Sequence, residues 1–315
     1  MKMYSQPEHH HTDIRAEDIP EDQRAFCPVS GDPVDKEEAE QLRHVRDYKG
    51  VKYYFCCSAC LDLFDKDPEA YTQEGDKETA QIAKDTPVNT LTLFEKEHLI
   101  DNVWAFRFHP TKPLHWTAGQ YMRVDLPHDN PDKEGTKRWF TISSAPYEGY
   151  AQITTRVTNS TFKQALSGLK VGDTLSMIEN SEGSFTWQES DKPLIFIAGG
   201  IGITPYHSIL MQRVHDAQPL NVTLIYGSRT DDVVFKDLFD AYVMEHPEFK
   251  VHYVIGEPLT AAKLNEFAPS LNQSLVYVSG PDPMVDALGA ELIATGLPED
   301  QLKKDGFPNY TQMNY

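Results

Sequence analysis

The period of the hydrophobic positions changes along the chain, and each period predicts a different kind of structure. From Val88 onward, apolar and polar residues alternate in short runs. NVWAFRF places Trp104, Phe106 and Phe108 on one face, and QYMRVDLP, RWFTISS, YAQITTRV and DTLSMIE repeat the same two-residue period. Several half-buried strands in succession predict a small antiparallel barrel over residues 88–189. At Pro193 the pattern becomes continuous apolar runs separated by helical stripes. PLIFIAGG, NVTLIYGS, KVHYVIG and SLVYVSG read as buried strands. Residues 203–214 carry Ile203, Tyr206, Leu210 and Val214 on one helical face, and FKDLFDAYVMEH and PDPMVDALGAELIATG read as further helices. Buried strands alternating with helices predict a parallel-sheet α/β domain over residues 190–315.

Upstream the pattern is weaker. Residues 1–24 are polar and acidic, with His9, His10 and His11 in a row, and read as a flexible tail. Residues 25–75 form a candidate compact unit. FCPVSGDPV has turn chemistry at Pro28 and at Ser30-Gly31-Asp32-Pro33, GVKYYF reads as a short strand, and a helix begins near Ser58 with Leu61 and Phe64 on one side. Residues 76–87 are polar, end in Pro87 and read as a linker.

The 315 residues allow two or three domains, and the formal net charge is −19. That balance argues against nucleic acid, whose phosphates demand a basic face. It fits a soluble surface, or one that steers cations. The longest apolar run, around PLIFIAGGIGITP, is too short and too glycine-rich to span a bilayer, and the N-terminus has no secretory h-region. A cytoplasmic protein without membrane insertion is expected. In a reducing compartment its four cysteines, all between Cys27 and Cys60, read as metal ligands or redox thiols before disulfides.

Two segments carry candidate chemistry. In IAGGIGITP an apolar strand hands over to a helix. Gly199, Gly200 and Gly202 allow a sharp turn and close approach of a phosphate, Thr204 is placed to N-cap the helix, and Pro205 suits its first turn. The helix N-terminus then faces an anion. In RWFTISSAP, Arg138 is placed to pair with a diphosphate, Phe140 offers an apolar face and Thr141 a hydroxyl.

With their order and spacing these segments resemble the ferredoxin-NADP reductase superfamily. The family pattern is Arg-x-Tyr-Ser/Thr on a flavin barrel, then a GGxGxTP turn, a Tyr-Gly-x-Arg-like strand end and a Gly-Pro-x-x-Met helix start. The chain has Arg138-Trp139-Phe140-Thr141, the turn from Gly199 to Pro205, Tyr226-Gly227-Ser228-Arg229 and Gly280-Pro281-Asp282-Pro283-Met284, with GQY at 119–121 and EGSF at 182–185. The resemblance covers residues 88–315. It implies an antiparallel FAD-binding β-barrel followed by a parallel-sheet NAD(P)-binding α/β domain.

The resemblance also assigns roles. Arg138 would hold the FAD diphosphate, Phe140 would pack on the ribityl chain or ring, and Thr141 would hydrogen-bond flavin N5, with Ile142 and Ser143 continuing the strand. Asn159, Ser160, Thr161 and Phe162, as a loop, would grip the diphosphate. Gly199, Gly200, Gly202, Thr204 and Pro205 would receive the dinucleotide, with Gly227, Ser228 and Arg229 beside it. Ser279, Gly280, Pro281 and Met284 would shape the nicotinamide side, and Tyr310, rather than Tyr315, would be the aromatic that covers the flavin. Thr141, Ser279 and Tyr310 are thus the candidate catalytic residues. Phe140 stands where the family has tyrosine, Ser279 where many members have cysteine, and TNSTF where the barrel usually has Gly-Gly-x-x-Ser. Arg229 favours NADPH, whereas Asp231 and Asp232 favour the free ribose of NADH.

Cys27, Cys56 and Cys60 form a Cys-x28-Cys-x3-Cys arrangement. If Cys56 opens a helix, Cys60 shares its face one turn on, and Cys27 closes the set from the upstream turn. Soft thiolates suit zinc, copper or iron, with Cys57, His44, a tail histidine or water as fourth ligand. Residues 26–71 resemble the YHS domain, a metal-associated module, through Cys27-Pro28-Val29, Gly31, Gly50, Tyr53-Tyr54-Phe55-Cys56, Cys60, Phe64, Pro68 and Tyr71. Ser30 stands where some members have a second cysteine. The spacing of a plant-type iron–sulfur cluster is absent.

These readings converge on an FAD-dependent NAD(P)H oxidoreductase with a metal-binding N-terminal module. The expected acceptor is a metal ion, copper or ferric iron, at the cysteine site. The alternatives are a redox-protein acceptor (a ferredoxin, a haem protein or an oxygenase component) docked by that module, and a metal sensor or carrier with a regulatory reductase part.

Overall fold

A computed structural model describes residues 19–20, 23–66, 68–71 and 87–307. The chain divides into two compact units, Met1–Ala83 and Lys84–Tyr315. Most of the expected tail and linker, the histidine run and Tyr310 lie outside the described residues.

In the first unit β1 (Arg24–Phe26) and β2 (Pro33–Asp35) pair antiparallel, and β3 (Val45–Tyr48) and β4 (Val51–Tyr54) form a second hairpin. Lys49 and Gly50 both take positive φ at its tip, as a tight two-residue hairpin requires. Between the hairpins lies α1 (Lys36–Gln41), which hydrophobic periodicity does not announce because KEEAEQ buries only Ala39. It forms where Asp35 caps it, accepting from the N–H groups of Glu37 and Glu38 at 2.8 and 3.0 Å. The expected helix is α2 (Ser58–Lys66). The core is small, with Cys27, Val34, Phe55, Cys60, Leu61 and Phe64 packed together.

The second unit begins with six antiparallel strands: β5 (Asn89–Ile100), β6 (Val103–Pro110), β7 (Tyr121–Asp125), β8 (Lys137–Thr141), β9 (Ala151–Arg156) and β10 (Thr174–Glu182). Their order is β8-β7-β10-β5-β6-β9. The ends of the sheet meet where the Ser143 N–H, just past β8, donates to the Gln152 carbonyl of β9 at 2.8 Å. The alternating residues fill the interior: Phe106, Phe108, Met122, Val124 and Ile153 are fully buried, and Trp104 packs against them partly exposed. One end is plugged by α3 (Thr161–Gly168), which buries Phe162 and Leu166. Thr161 and Phe162 are therefore in the first turn of a helix, not in a loop.

A five-stranded parallel sheet follows, in the order β13-β12-β11-β14-β15, with β11 (Leu194–Gly199), β12 (Val222–Ser228), β13 (Lys250–Ile255), β14 (Leu275–Pro281) and β15 (Leu302–Phe307). The central strand β11 sends Leu194, Phe196 and Ala198 into one apolar layer and Ile195 and Ile197 into the other. Both faces are covered, which is why its sequence shows no alternation. Among the described residues the helices are α4 (Thr204–His215), α5 (Lys236–Glu245), α6 (Ala261–Phe267) and α7 (Asp282–Ala294). Thr204 is the first residue of α4, not its cap. A 3₁₀ turn, Gly200–Ile203, leads in, and the Thr204 hydroxyl donates to the Ile201 carbonyl at 3.1 Å.

Helix α4 also joins sheet to barrel. His207 Nδ1 lies 2.6 Å from the Ser143 carbonyl and Ser208 Oγ donates to the Ser144 carbonyl at 2.6 Å. Burial lowers the His207 pKa to about 4, so the imidazole is neutral and its Nδ1–H donates. No helix among the described residues is long and apolar enough to cross a membrane.

Candidate functional site: a cationic cleft and a cysteine cluster

Between the barrel and the parallel sheet lies a cleft of about 1250 Å³. Six cationic side chains line it, Lys133, Lys137, Arg138, Arg156, Lys163 and Lys304, against four acidic ones, Asp101, Asp132, Glu134 and Asp305. Ser160, which precedes α3, and Lys163 and Gln164 in its first turn line the cleft, so the positive end of that helix dipole lies on the cleft wall. Arg138, Phe140, Thr141, Asn159, Ser160 and Thr204 all line the same space.

Arg138 is already engaged. Its Nη2 donates to Asp132 Oδ1, its Nε to Glu134 at 3.1 Å, and its Nη1 to the carbonyls of Glu134, Gly135 and Lys137. It stacks over the Phe162 ring at 5.3 Å. Burial raises the Asp132 carboxyl, but the Arg138 hydrogen bond and charge outweigh it and hold the group below its ordinary range. Phe140 leans on Phe162.

Other expected residues surround the cleft without lining it. Ile142 and Ser143 are buried, and Ser143 Oγ donates to the Gln152 carbonyl at 3.0 Å. Thr161 Oγ1 accepts from the Asp132 N–H at 3.0 Å, and Phe162 is in the barrel core. Gly199, Gly227 and Gly280 sit at the C-terminal ends of β11, β12 and β14, with Ser228, Arg229, Pro281 and Met284 beside them and Gly200, Gly202 and Pro205 in the turn into α4. Ligands of open parallel sheets bind beyond such strand ends. At Gly202 the approach is tight, since a Cβ there would lie 2.3 Å from the Ser279 carbonyl oxygen.

Ser279 is fully buried, and its hydroxyl donates to Asp305 Oδ2 at 3.1 Å. Asp305 lines the cleft from β15. Burial pushes its carboxyl up to about 7, opposed by the Ser279 hydrogen bond and helped by the charge of Asp282. Phe307, two residues on, also lines the cleft. Arg156, Lys304, Asp305 and Phe307 escaped the sequence reading. LKKDGF has too few apolar residues to announce a strand, yet its length and its place after α7 suit a fifth β-α-β step.

In the first unit, Cys27, Cys56 and Cys60 bring their sulfurs within 4.8 Å of one another, and Cys56 and Cys60 lie 3.7 Å apart. Sulfurs sharing an ion at bonds of about 2.3 Å sit roughly 3.8 Å apart, so the set fits one metal ion. The helix begins at Ser58, so Cys56 precedes α2 rather than opening it, and the set closes through the turn into the helix. Neither Cys57 nor His44 joins the group. The Cys56 thiol contact lowers the Cys27 pKa to about 4 against the opposing effect of burial, and the Ser30 hydroxyl and the N–H groups of Ser30 and Cys56 add to it. Burial, first, and the Cys27 charge raise Cys60 to about 12.

Residues 196–289 match the family model described as oxidoreductase NAD-binding domain, and residues 28–74 match the YHS domain. A flavohemoprotein from Burkholderia sp. is 28% identical over 225 residues, 66% of this chain, and this match spans 56% of the relative's length. NADH-cytochrome b5 reductase 1 from Debaryomyces hansenii is 25% identical over 239 residues, 70% of this chain and 83% of that protein. The FAD/NAD-binding domain of a nitric oxide dioxygenase from Vibrio cholerae shares the fold, with TM-score 0.62 and 18% identity over 70% of this chain and 99% of that one. The chain belongs to the ferredoxin-NADP reductase superfamily. It carries a YHS domain toward its N-terminal end. The superfamily's barrel-then-sheet order is the order of the second unit, and the cleft lies between the two.

Proposed function

We propose that the chain is an FAD-dependent NAD(P)H oxidoreductase that passes electrons onward to a redox acceptor. The observation that carries this reading is electrostatic. A chain of net charge −19 gathers six cations and a helix N-terminus against four carboxylates on one cleft, a local excess of positive charge that suits the diphosphates of FAD and a nicotinamide dinucleotide. When bound, FAD would accept hydride from the nicotinamide and release the electrons singly. The chain's residues supply placement and charge. Arg156, Lys137 and Lys163, with the first turn of α3, would hold the FAD diphosphate. Arg138, fixed by Asp132 and Glu134, would add a positive wall whose geometry is set in advance. Phe140 would give the ring an apolar face, and the Thr141 hydroxyl would meet its polar edge. Gly199, Gly200 and Gly202 would admit the nicotinamide dinucleotide at the strand ends, with Arg229 beside its ribose. Ser279 orients Asp305, whose carboxyl changes protonation near neutral pH and would take or give the proton that accompanies hydride exchange. Phe307 would take the covering role assigned to Tyr310, because it stands on the cleft wall.

For the acceptor, the names of the curated relatives favour a redox protein such as a cytochrome. The three-sulfur cluster favours a second reading, in which the chain binds a soft metal ion and reduces it. The electron count closes as NAD(P)H giving NAD(P)⁺, one proton and two electrons, which two one-electron acceptors such as copper(II) would take.

The test is direct. Purified protein supplied with FAD is expected to turn yellow, bleach anaerobically on adding NADH or NADPH, and recover with an added acceptor. Arg156→Ala is expected to weaken FAD retention about tenfold or more, the loss expected for a charge-assisted phosphate contact. Protein that takes up no FAD, or bound FAD that neither nucleotide bleaches, overturns the reading.

A further inference from the structure

The Cys27-Pro28-Val29-Ser30-Gly31 turn closes through the Gly31 N–H, which donates to the Cys27 carbonyl at 2.7 Å. The turn delivers Ser30 to the cysteine cluster. Its hydroxyl lies 3.2 Å from Cys56 Sγ and also hydrogen-bonds Cys27. Ser30 Oγ accepts from the Asp32 N–H at 3.3 Å, which engages a lone pair and leaves the hydroxyl proton directed at sulfur. Once the cysteines are thiolates, only the serine can donate in these contacts. The hydroxyl thus stands beside two of the three sulfurs, and stands there as a donor rather than a ligand.

From this geometry we propose that Ser30 makes the cluster a three-sulfur site, which takes copper(I) without a fourth ligand and holds zinc weakly. The inference rests on the reading that the cysteine group binds metal. Zinc in protein sites is almost always four-coordinate, and among the described residues the group offers three ligands. A neutral hydroxyl is a poor ligand for a soft ion, whereas copper(I) is satisfied by three thiolates. Three thiolates around a monovalent ion leave a net negative charge in a part-buried site. The Ser30 hydroxyl, within reach of both Cys27 and Cys56, and the N–H groups of Ser30 and Cys56, directed at Cys27, offset it. Cys27 and Cys60 are buried and Cys56 is partly exposed, which leaves one sulfur as the point of entry.

The experiment uses the full chain, reduced and anaerobic. Copper(I) is supplied from bicinchoninate as competing chelator, and zinc is titrated against a zinc chelator. X-ray absorption of the copper(I) form is expected to show three sulfur neighbours and no oxygen at bonding distance. Ser30→Cys is expected to tighten zinc about tenfold or more while moving copper(I) affinity less than about threefold. Ser30→Ala, which adds no bulk, is expected to keep three sulfurs around copper while weakening its binding about tenfold. Four ligands on copper in the wild type, or zinc affinity unmoved by Ser30→Cys, overturns the proposal and leaves metal binding standing. Uptake of neither metal, with the cysteines shown reduced, removes the metal reading together with the proposal.

Discussion

Asp305 carries a cost that follows the sign of its pKa shift. Its carboxyl is raised from about 4 in the unfolded chain to about 7 in the fold, with burial the largest cause. The folded state therefore prefers the protonated acid. The stability this contributes is complete below about pH 4, and it falls away as pH rises through about 7. Asp305→Asn keeps a side chain of the same shape and removes the charge. The variant is expected to match wild type near pH 4 and to exceed it at pH 8 by on the order of 2–4 kcal/mol, read from urea unfolding midpoints across pH. Equal pH dependence in the two proteins would show that Asp305 stays ionised at no cost. The sequence could not reveal this residue, because an aspartate between two lysines and a glycine looks like surface. Only the register of β15 beside β14, with Ser279 opposite Asp305, turns it inward.

At the scale of elements, the strands and helices that bury a whole face were legible. Phe106 and Phe108 in β6, and the stripe of Tyr206 and Leu210 along α4, declare themselves by period, while Ile203 of the same stripe ends the 3₁₀ turn before the helix. The elements that escaped are held by something other than an apolar face. α1 depends on the Asp35 cap, α3 hides in a polar stretch that sends only Phe162 and Leu166 into the core, and β15 is edge backbone completing a sheet. In the candidate site, Arg138 and the glycine turn were legible as residues. The clamp on Arg138 was not, since Asp132 and Glu134 come from a loop with no pattern of its own. The turn into α4 shows how little room the assembly leaves. An alanine at Gly202 would place its Cβ 2.3 Å from the Ser279 oxygen and 2.6 Å from Gly280 Cα, both backbone atoms that cannot step aside. Gly202→Ala is expected to cost about 3 kcal/mol, measured by denaturant unfolding. A cost near zero would mean that β14 moves freely relative to the turn.

Across the molecule, charge is divided unevenly. The chain is strongly acidic overall, whereas cations outnumber carboxylates in the cleft. An anionic dinucleotide meets a net acidic molecule with a local excess of cations at the cleft, and salt weakens that contrast. Affinity for NADPH is expected to fall roughly three- to tenfold between about 0.05 and 0.5 M salt, measured by titrating the nucleotide against flavin absorbance. Salt-independent affinity would place the binding energy in stacking instead.

The seam at α4 has a consequence for timing. His207 and Ser208 fasten the helix to the backbone of Ser143 and Ser144, next to the strand that ends in Thr141. The walls on either side of the cleft are thereby bolted together close to its floor. A large swing of one wall would break bonds that water cannot replace in a buried seam. If the cleft holds the proposed cofactors, nucleotide exchange is expected to proceed through small displacements at the rim, such as that of the Phe307 ring, rather than through a swing of domains.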